Sequence, residues 1–570
     1  MQLLIRYLTP LKKDLVKSIS LKFIGAFLTL ILPYILAYVI DSVVPTKNLT
    51  YILLFGVLMV IISIVTWRAD VNANRQASKV ARDATYAIRN DLFNKTIYLS
   101  SKTFDAFTIP SLESRLTSDT YNVHHMIGML QRMAIRAPIL LIGGVILTMM
   151  MEPYLSFVMV CTLPFIGALV YFRATKGIEY YSKAQMAQDD MIRVVRENTQ
   201  GVRIIKALAK HDDERKRYHE VNMNLAEKEK YASKRMAIIN PLLTFFMNIG
   251  MVGVILVGAH RVNLGLSETG KIIAFTNYFV LISNAMMAIS RIFIMTSKGM
   301  ASSKRILEVL NVEEETKQIS NKYKETDHII EFENVSFSYL GKYNNLENIN
   351  FNLKEKQTLG ILGVTGSGKS TILQLLLGLY DISEGNIYIK GKNIKEYKLN
   401  ELKEMFGVVM QNDFIFAGTL HENIDFYRNI EKEQINNAIR NAQGDFIFDL
   451  DEQLNSKITT RGTNFSGGQR QRICLSRAFA SNPEILILDD SSSALDYATD
   501  ANLRKAISSN MKESTKIIIA QRVSSIAHAD KIIVLDEGKI EAIGTHEELL
   551  ETCEIYQSIA ASQMGGALFE

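Results

Sequence analysis

The chain has 570 residues, too many for one ordinary hydrophobic core, so two or more domains are expected. Its formal net charge of +5 is small and spread along the chain, which argues against the concentrated basic tract of a nucleic-acid-binding protein. Cys161, Cys474 and Cys553 are scattered without CxxC spacing, which argues against a disulfide framework or a zinc site.

The average hydrophobic content of 48% hides a division. Apolar runs of about 20 residues, long enough to cross a bilayer core, occur in residues 1–300 and are missing from 328–570. The N-terminus, MQLLIRYLTPLKKDLVKSIS, has no compact apolar core followed by a cleavage site. It reads as an amphipathic helix lying at the inner membrane surface. Six spans follow, at about 18–40, 51–67, 135–151, 154–172, 238–259 and 272–292, within a transmembrane domain of residues 1–310. The segments after spans 1, 3 and 5 are short and hold only Lys47, Arg261 and Lys271. The N-terminus and the borders of the two long segments are rich in Lys and Arg, which puts both termini and both long segments in the cytoplasm.

Those long segments are rich in helix formers and nearly free of Pro and Gly, so they are expected to continue the membrane helices outward. Their tips, near Ile109 to Ser111 and near Lys210 to Glu214, are the expected docking points. Methionines such as Met126, Met133, Met151, Met247, Met286 and Met287 would suit a cavity for varied apolar ligands, but plain membrane packing explains them too and is the preferred reading. Arg291 is read as snorkelling to the inner interface, and His124 with His125 as a solvated helix face.

A polar stretch over 311–327 reads as a linker, and a second domain spans 328–570. TLGILGVTGSGKSTILQLLLGL reads as strand, glycine loop and helix. Gly363, Val364, Thr365, Gly366, Ser367, Gly368, Lys369 and Ser370 complete the phosphate-loop pattern, with Thr371 next in the helix. Glycines let backbone N–H groups curl around phosphates, Lys369 reaches the outer phosphates, and Ser370 can hold magnesium. Upstream, Tyr339 could stack on adenine. Downstream come Gln411 at a strand end, then NFSGGQRQR with Ser466, Gly467, Gly468 and Gln469 opening a helix. ILILDD follows with Asp489 and Asp490, then SALD ending at Asp496, and KIIIAQ ending at Gln521.

Phosphate loop, glutamine loop, SGGQ and SALD in this order resemble the nucleotide-binding domain of an ABC transporter. A six-span half with long cytoplasmic helices in front of it is similar to the exporter type. The resemblance covers essentially the whole chain. It implies an all-α transmembrane domain joined to an α/β P-loop ATPase domain in the cell membrane, with ATP and magnesium as cofactors. Ser370, Gln411 and Asp489 would be on the metal side. It also implies a second, homologous half-transporter, paired head-to-tail so that each ATP lies between one phosphate loop and the other chain's SGGQ. Membrane lipid and a small amphipathic substrate are the remaining expected partners.

In the family pattern the residue after the magnesium Asp is Glu, and a His stands near the next strand end. Here those positions hold Asp490 and Gln521. The shorter carboxylate retracts its oxygens by roughly 1–1.5 Å, and a misplacement of about 1 Å can cost on the order of a hundredfold in rate. An amide in place of imidazole cannot carry charge or relay a proton. Both changes fall in one site, while Tyr339, Lys369, Ser370, Gln411 and Asp489 are kept. The pattern resembles the degenerate-site subunit of bacterial heterodimeric multidrug exporters, whose own site binds MgATP and hydrolyses it slowly while its SGGQ completes the partner's site. Thr460 departs from the acidic residue usual before Arg461-Gly462. Two alternatives stay open: a homodimeric exporter using Asp490, and a regulatory ATP-binding or ATP-gated channel subunit.

Overall fold

The computed structural model describes residues 1–312, 323–339, 341–411 and 413–564. The chain divides into two compact units: Met1–Tyr98 with Phe107–Glu313, and Leu99–Ala106 with Glu314–Glu570. Most of the linker expected over 311–327 lies outside the described residues. Its last part is laid on the second unit, where the Lys324 N–H donates to the Gly391 carbonyl at 2.7 Å.

The first unit is built from α1 (Gln2–Leu8), α2 (Lys12–Tyr38), α3 (Leu49–Ile97), α4 (Ser101–Phe107), α5 (Ile109–Ser114), α6 (Thr120–Met129), α7 (Arg136–Met151), α8 (Pro153–Gln200), α9 (Val202–Ala207), α10 (His211–Ala237), α11 (Ile239–Asn263) and α12 (Thr269–Leu310), with most of α4 assigned to the second unit. Among the described residues six helical stretches are long and apolar enough to cross a membrane. At 49 residues, α3 runs for about 70 Å, well past the span itself. Asn48 starts it by accepting from the Thr50 N–H at 3.0 Å, and no Gly or Pro interrupts it beyond Gly56. Its cytoplasmic part buries Ala69, Ala73, Ala77, Ala81 and Ala84, a seam of small side chains that lets its neighbours approach closely. Tyr278, Phe275, Phe279, Leu30, Leu155 and Ile282 anchor the core among the spans. Met247, Met286 and Met287 pack against that core, and Met126 is buried beside Gly299.

Several expectations shift. Leu3, Leu4 and Tyr7 of α1 are buried against protein, and the Tyr7 hydroxyl donates to Asp91 Oδ2 at 2.7 Å, so the apolar face of α1 is covered by its own domain. The segment that groups with the second unit is Leu99–Ala106, ahead of the expected Ile109 to Ser111 tip; Thr108, at φ +63°, turns the chain between them. At the other tip, α9 exposes Val202, Ile204 and the adjoining Leu208. Arg291 lies on an exposed face of α12. His124 and His125 are half-buried: His124 Nδ1 is 3.3 Å from Thr85 Oγ1, and the His125 ring meets Tyr121 edge-on at 4.3 Å. Burial, above all, pushes the His124 pKa below the ordinary histidine value.

Ion pairs pin the helices. Lys22 of α2 donates to Asp70 Oδ1 of α3 at 2.8 Å, and Arg136 of α7 takes Asp70 Oδ2 at 2.9 Å. Asp119, 1% exposed, accepts from Ser302 at 2.8 Å and is clasped by Arg305. Arg115 donates to Glu308 at 3.0 Å and covers the Phe107 ring at 4.9 Å.

The second unit holds two main sheets. β1 (His328–Phe337), β2 (Leu346–Lys354), β4 (Glu384–Ile389) and β5 (Lys392–Asn393) form an antiparallel sheet, in the order β2-β1-β4-β5. The other sheet takes β3 (Thr358–Gly363), β6 (Phe406–Val409), β9 (Ile485–Asp489), β10 (Thr515–Ile519), β11 (Lys531–Asp536) and β12 (Lys539–Gly544), in the order β12-β11-β3-β10-β9-β6. Only β12 runs antiparallel to its neighbour in it. β9 is buried at every position, as a central parallel strand covered on both faces should be. A short pair, β7 (Gly418–Thr419) and β8 (Lys457–Ile458), completes the strands. The helices that bear on the site are α13 (Lys369–Leu376), α17 (Gly467–Ala480) and α18 (Tyr497–Asn510), with α14 (Leu399–Glu404), α15 (Leu420–Asp425) and α16 (Lys432–Asn441) between the first two.

Asp70→Asn leaves the 4% exposed Lys22 ammonium without its carboxylate. A loss of about 3 kcal/mol is expected, read as a lower thermal midpoint of the detergent-solubilised chain, and adding Lys22→Met should recover part of it.

Candidate nucleotide site

Parallel pairing of β3, β10 and β9 brings three strand ends to one edge of the sheet: Ile519 pairs with both Ile361 and Asp489. Ligands of open α/β sheets sit at such carboxyl edges. The loop from β3 into α13 curls there. Gly368 caps α13 at φ +100°, and a Cβ at that position would stand 2.6 Å from Leu346 Cδ2, so only glycine fits. Lys369 Nζ folds back onto the loop, donating to the carbonyls of Gly363 and Val364, both at 2.7 Å. Ser370 Oγ donates to Asp489 Oδ2 at 3.1 Å.

Gly368, Lys369, Ser370 and Asp489 line a cleft of about 200 Å³, together with Thr365, Gly366, Thr371, Gln411, Asp490 and Gln521. Burial pulls Lys369 below the usual lysine value and lifts Asp489 and Asp490 above the usual carboxylate range. One lysine against two aspartates leaves the cleft short of positive charge, a deficit that a divalent cation would reverse. The residues fit magnesium: it needs only one or two protein ligands besides phosphate oxygens and water, and the Ser370 hydroxyl and Asp489 carboxylate stand side by side. Ser367 Oγ, buried and without a partner among the described residues, adds a hydrogen-bonding group in the phosphate loop.

Asp490 sits in a left-handed backbone conformation, φ +49°, which Asp enters more readily than most residues. Gln521 Nε2 donates to Asp490 Oδ2 at 3.3 Å, so the two residues that depart from the family pattern touch each other. Tyr339 does not line the cleft. Its hydroxyl lies 3.2 Å from Thr371 Oγ1 and donates to Gln374.

The other candidate residues are held elsewhere. Ser466 and Gly467 are exposed at the start of α17, where Ser466 Oγ accepts from the Gln469 N–H at 3.2 Å and Gln469 Oε1 from the Ser466 N–H at 2.9 Å. This capping box shapes an open helix N-terminus. Gly468 passes so close to the Ala494 carbonyl that a Cβ would lie 3.1 Å from its oxygen. Asp496 caps α18, accepting from the Thr499 N–H at 2.9 Å and its hydroxyl at 2.8 Å, and these bonds lower its pKa. Thr460 is exposed. Two residues had no sequence signal. Asn345 lines the cleft and accepts from the Tyr339 N–H at 3.1 Å. Gln471 of α17 donates to the Asp490 carbonyl at 3.2 Å and accepts from the Ala494 N–H at 3.1 Å, tying the SGGQ helix to the loop after β9.

The family model of the ABC transporter transmembrane region matches residues 15–286, and the family model described as ABC transporter matches 346–493. The chain is 32% identical over 536 residues to the uncharacterized ABC transporter ATP-binding protein YfiB of Bacillus subtilis, covering 94% of this chain and 93% of that one. An uncharacterized ABC transporter ATP-binding protein of Mycobacterium tuberculosis is 28% identical over 569 residues, 98% of each chain. In fold the chain is similar to the structure of a bacterial Atm1-family ABC exporter with ATP bound, with a TM-score of 0.81 at 22% identity over 97% of this chain and 98% of that one.

Gly368→Ala forces a strained left-handed alanine into the loop. It should weaken binding of a fluorescent MgATP analogue by about tenfold or more, equivalent to the 1–3 kcal/mol of such strain.

Proposed function

Since the chain belongs to the ABC transporter family, we propose that it is one half of a heterodimeric exporter whose own phosphate-loop site binds MgATP and turns it over slowly. The chain is a multi-pass membrane protein with a cytoplasmic ATPase domain that uses ATP and magnesium, and ABC exporters work as dimers of such halves. The observation that carries the finer reading is the bonded pair Asp490 and Gln521 in a site that keeps its binding residues. The Asp490 carboxylate is one methylene shorter than a glutamate would be, and an amide already donates to it. Gln521 cannot become a cation beside a terminal phosphate.

Roles for the remaining residues follow from their chemistry. Lys369 and the loop amides neutralise phosphate charge, Ser370 and Asp489 hold magnesium with Gln411 near, and Tyr339 offers its ring to adenine. Phosphoryl transfer depends on this positioning and charge stabilisation. The exposed Ser466 and Gly467, with the half-buried Gly468, are an N-terminus suited to phosphates bound by another chain, which supports a partner whose site this chain completes. Closure of the paired ATPase domains would then turn the membrane cavity outward. Amphipathic or lipophilic molecules, multidrug substrates among them, suit the apolar spans.

The reading is tested in the complex with the partner's catalytic carboxylate neutralised, so that only this chain's site reports. Asp490→Glu with Gln521→His should raise phosphate release by about tenfold or more. An unchanged rate would contradict the slow-site assignment.

A further inference from the structure

Building on the assignment of Tyr339 as the adenine platform, we infer that Tyr380 is a positioning residue that relays nucleotide occupancy to α4, through Thr371, Tyr339, Tyr380 and Asp105 in turn. Every link lies inside the second unit, which holds Leu99–Ala106 together with the ATPase domain.

The first link is polar. Thr371 lines the cleft one residue after Ser370, and its Oγ1 lies 3.2 Å from the Tyr339 hydroxyl, which also donates to Gln374 Oε1. The second link is aromatic. The Tyr339 and Tyr380 rings meet edge-on, centroids 5.2 Å apart and planes at 88°. Phe337 closes a three-ring cluster at 4.7 Å from Tyr339 and 5.8 Å from Tyr380. The third link leaves the cluster: the Tyr380 hydroxyl donates to Asp105 Oδ2 on α4. Burial and the Asp105 carboxylate push the Tyr380 pKa up to about 12, so the hydroxyl remains a donor at neutral pH.

Edge-on rings in a close-packed cluster have a few discrete arrangements rather than a continuum. A base laid on Tyr339 fixes that ring, the fixed ring fixes Tyr380, and Tyr380 sets where the Asp105 acceptor is held. A tyrosine that only packed at this place would hold α4 equally with and without nucleotide.

Hydrogen exchange of the full-length chain in detergent, with and without MgATP, reads residues 99–107 directly, and a ribose-labelled fluorescent ATP analogue reads binding on the same samples. MgATP should slow exchange there by about threefold or more in the unmodified chain. Tyr380→Phe and Asp105→Ala should abolish that slowing while changing analogue affinity by less than about twofold. Asp105→Asn keeps an acceptor for the hydroxyl and should keep the slowing. If Tyr380→Phe leaves the ratio intact, or if the unmodified chain binds the analogue with no change in exchange, the relay is wrong. Failure of the unmodified chain to bind the analogue would overturn the nucleotide reading itself, and the relay with it.

Discussion

Strand β10 has Ile361 on one side of Ile519 and Asp489 on the other. That double pairing sets β3 and β9 level, and with them the phosphate loop and the Asp489 carboxylate. A shift of one residue would turn Asp489 from the edge into the sheet and separate it from Ser370. The 3.1 Å contact of Ser370 with Asp489, the fold-back of Lys369 and the meeting of Gln521 with Asp490 all depend on this register. β9 is fully buried and β10 nearly so, so the register is enforced by apolar packing rather than by the polar groups it positions.

What sequence could carry was what local chemistry writes in short patterns. Apolar runs marked the six spans because a bilayer demands length, and glycine spacing marked the phosphate loop because positive φ demands glycine. Other features depend on partners distant in the chain. Tyr7 finds Asp91, Asp70 is shared by Lys22 and Arg136, and Asn345 reaches the cleft from the turn between β1 and β2. No periodicity announces such pairs. SKTFDAF of α4 is likewise an unremarkable heptapeptide until Tyr380 is seen bonded to Asp105.

Asp490 shows how one residue answers two demands. Its left-handed backbone suits a short carboxylate that can bond locally, a structural reason for Asp that the sequence pattern did not contain. The same shortness draws the carboxylate back from where a longer base would act. Gln521 has no comparable structural excuse: its backbone carbonyl, not its side chain, bonds to Gln563, and its amide is spent on Asp490. The two departures together therefore weigh more toward a slow site than either does alone, while the open SGGQ terminus of α17 remains fully formed through its capping box.

On the function proposed above, this chain binds ATP in its own cleft and helps a different chain to hydrolyse it. The direct measurement is ATP turnover of the purified chain alone and with its partner half, repeated with the partner's catalytic glutamate changed to glutamine. The account predicts turnover that requires the partner, collapses with that glutamate, and changes little with Asp490→Ala here. A chain that dimerises with itself and turns over ATP in an Asp490-dependent way would contradict it.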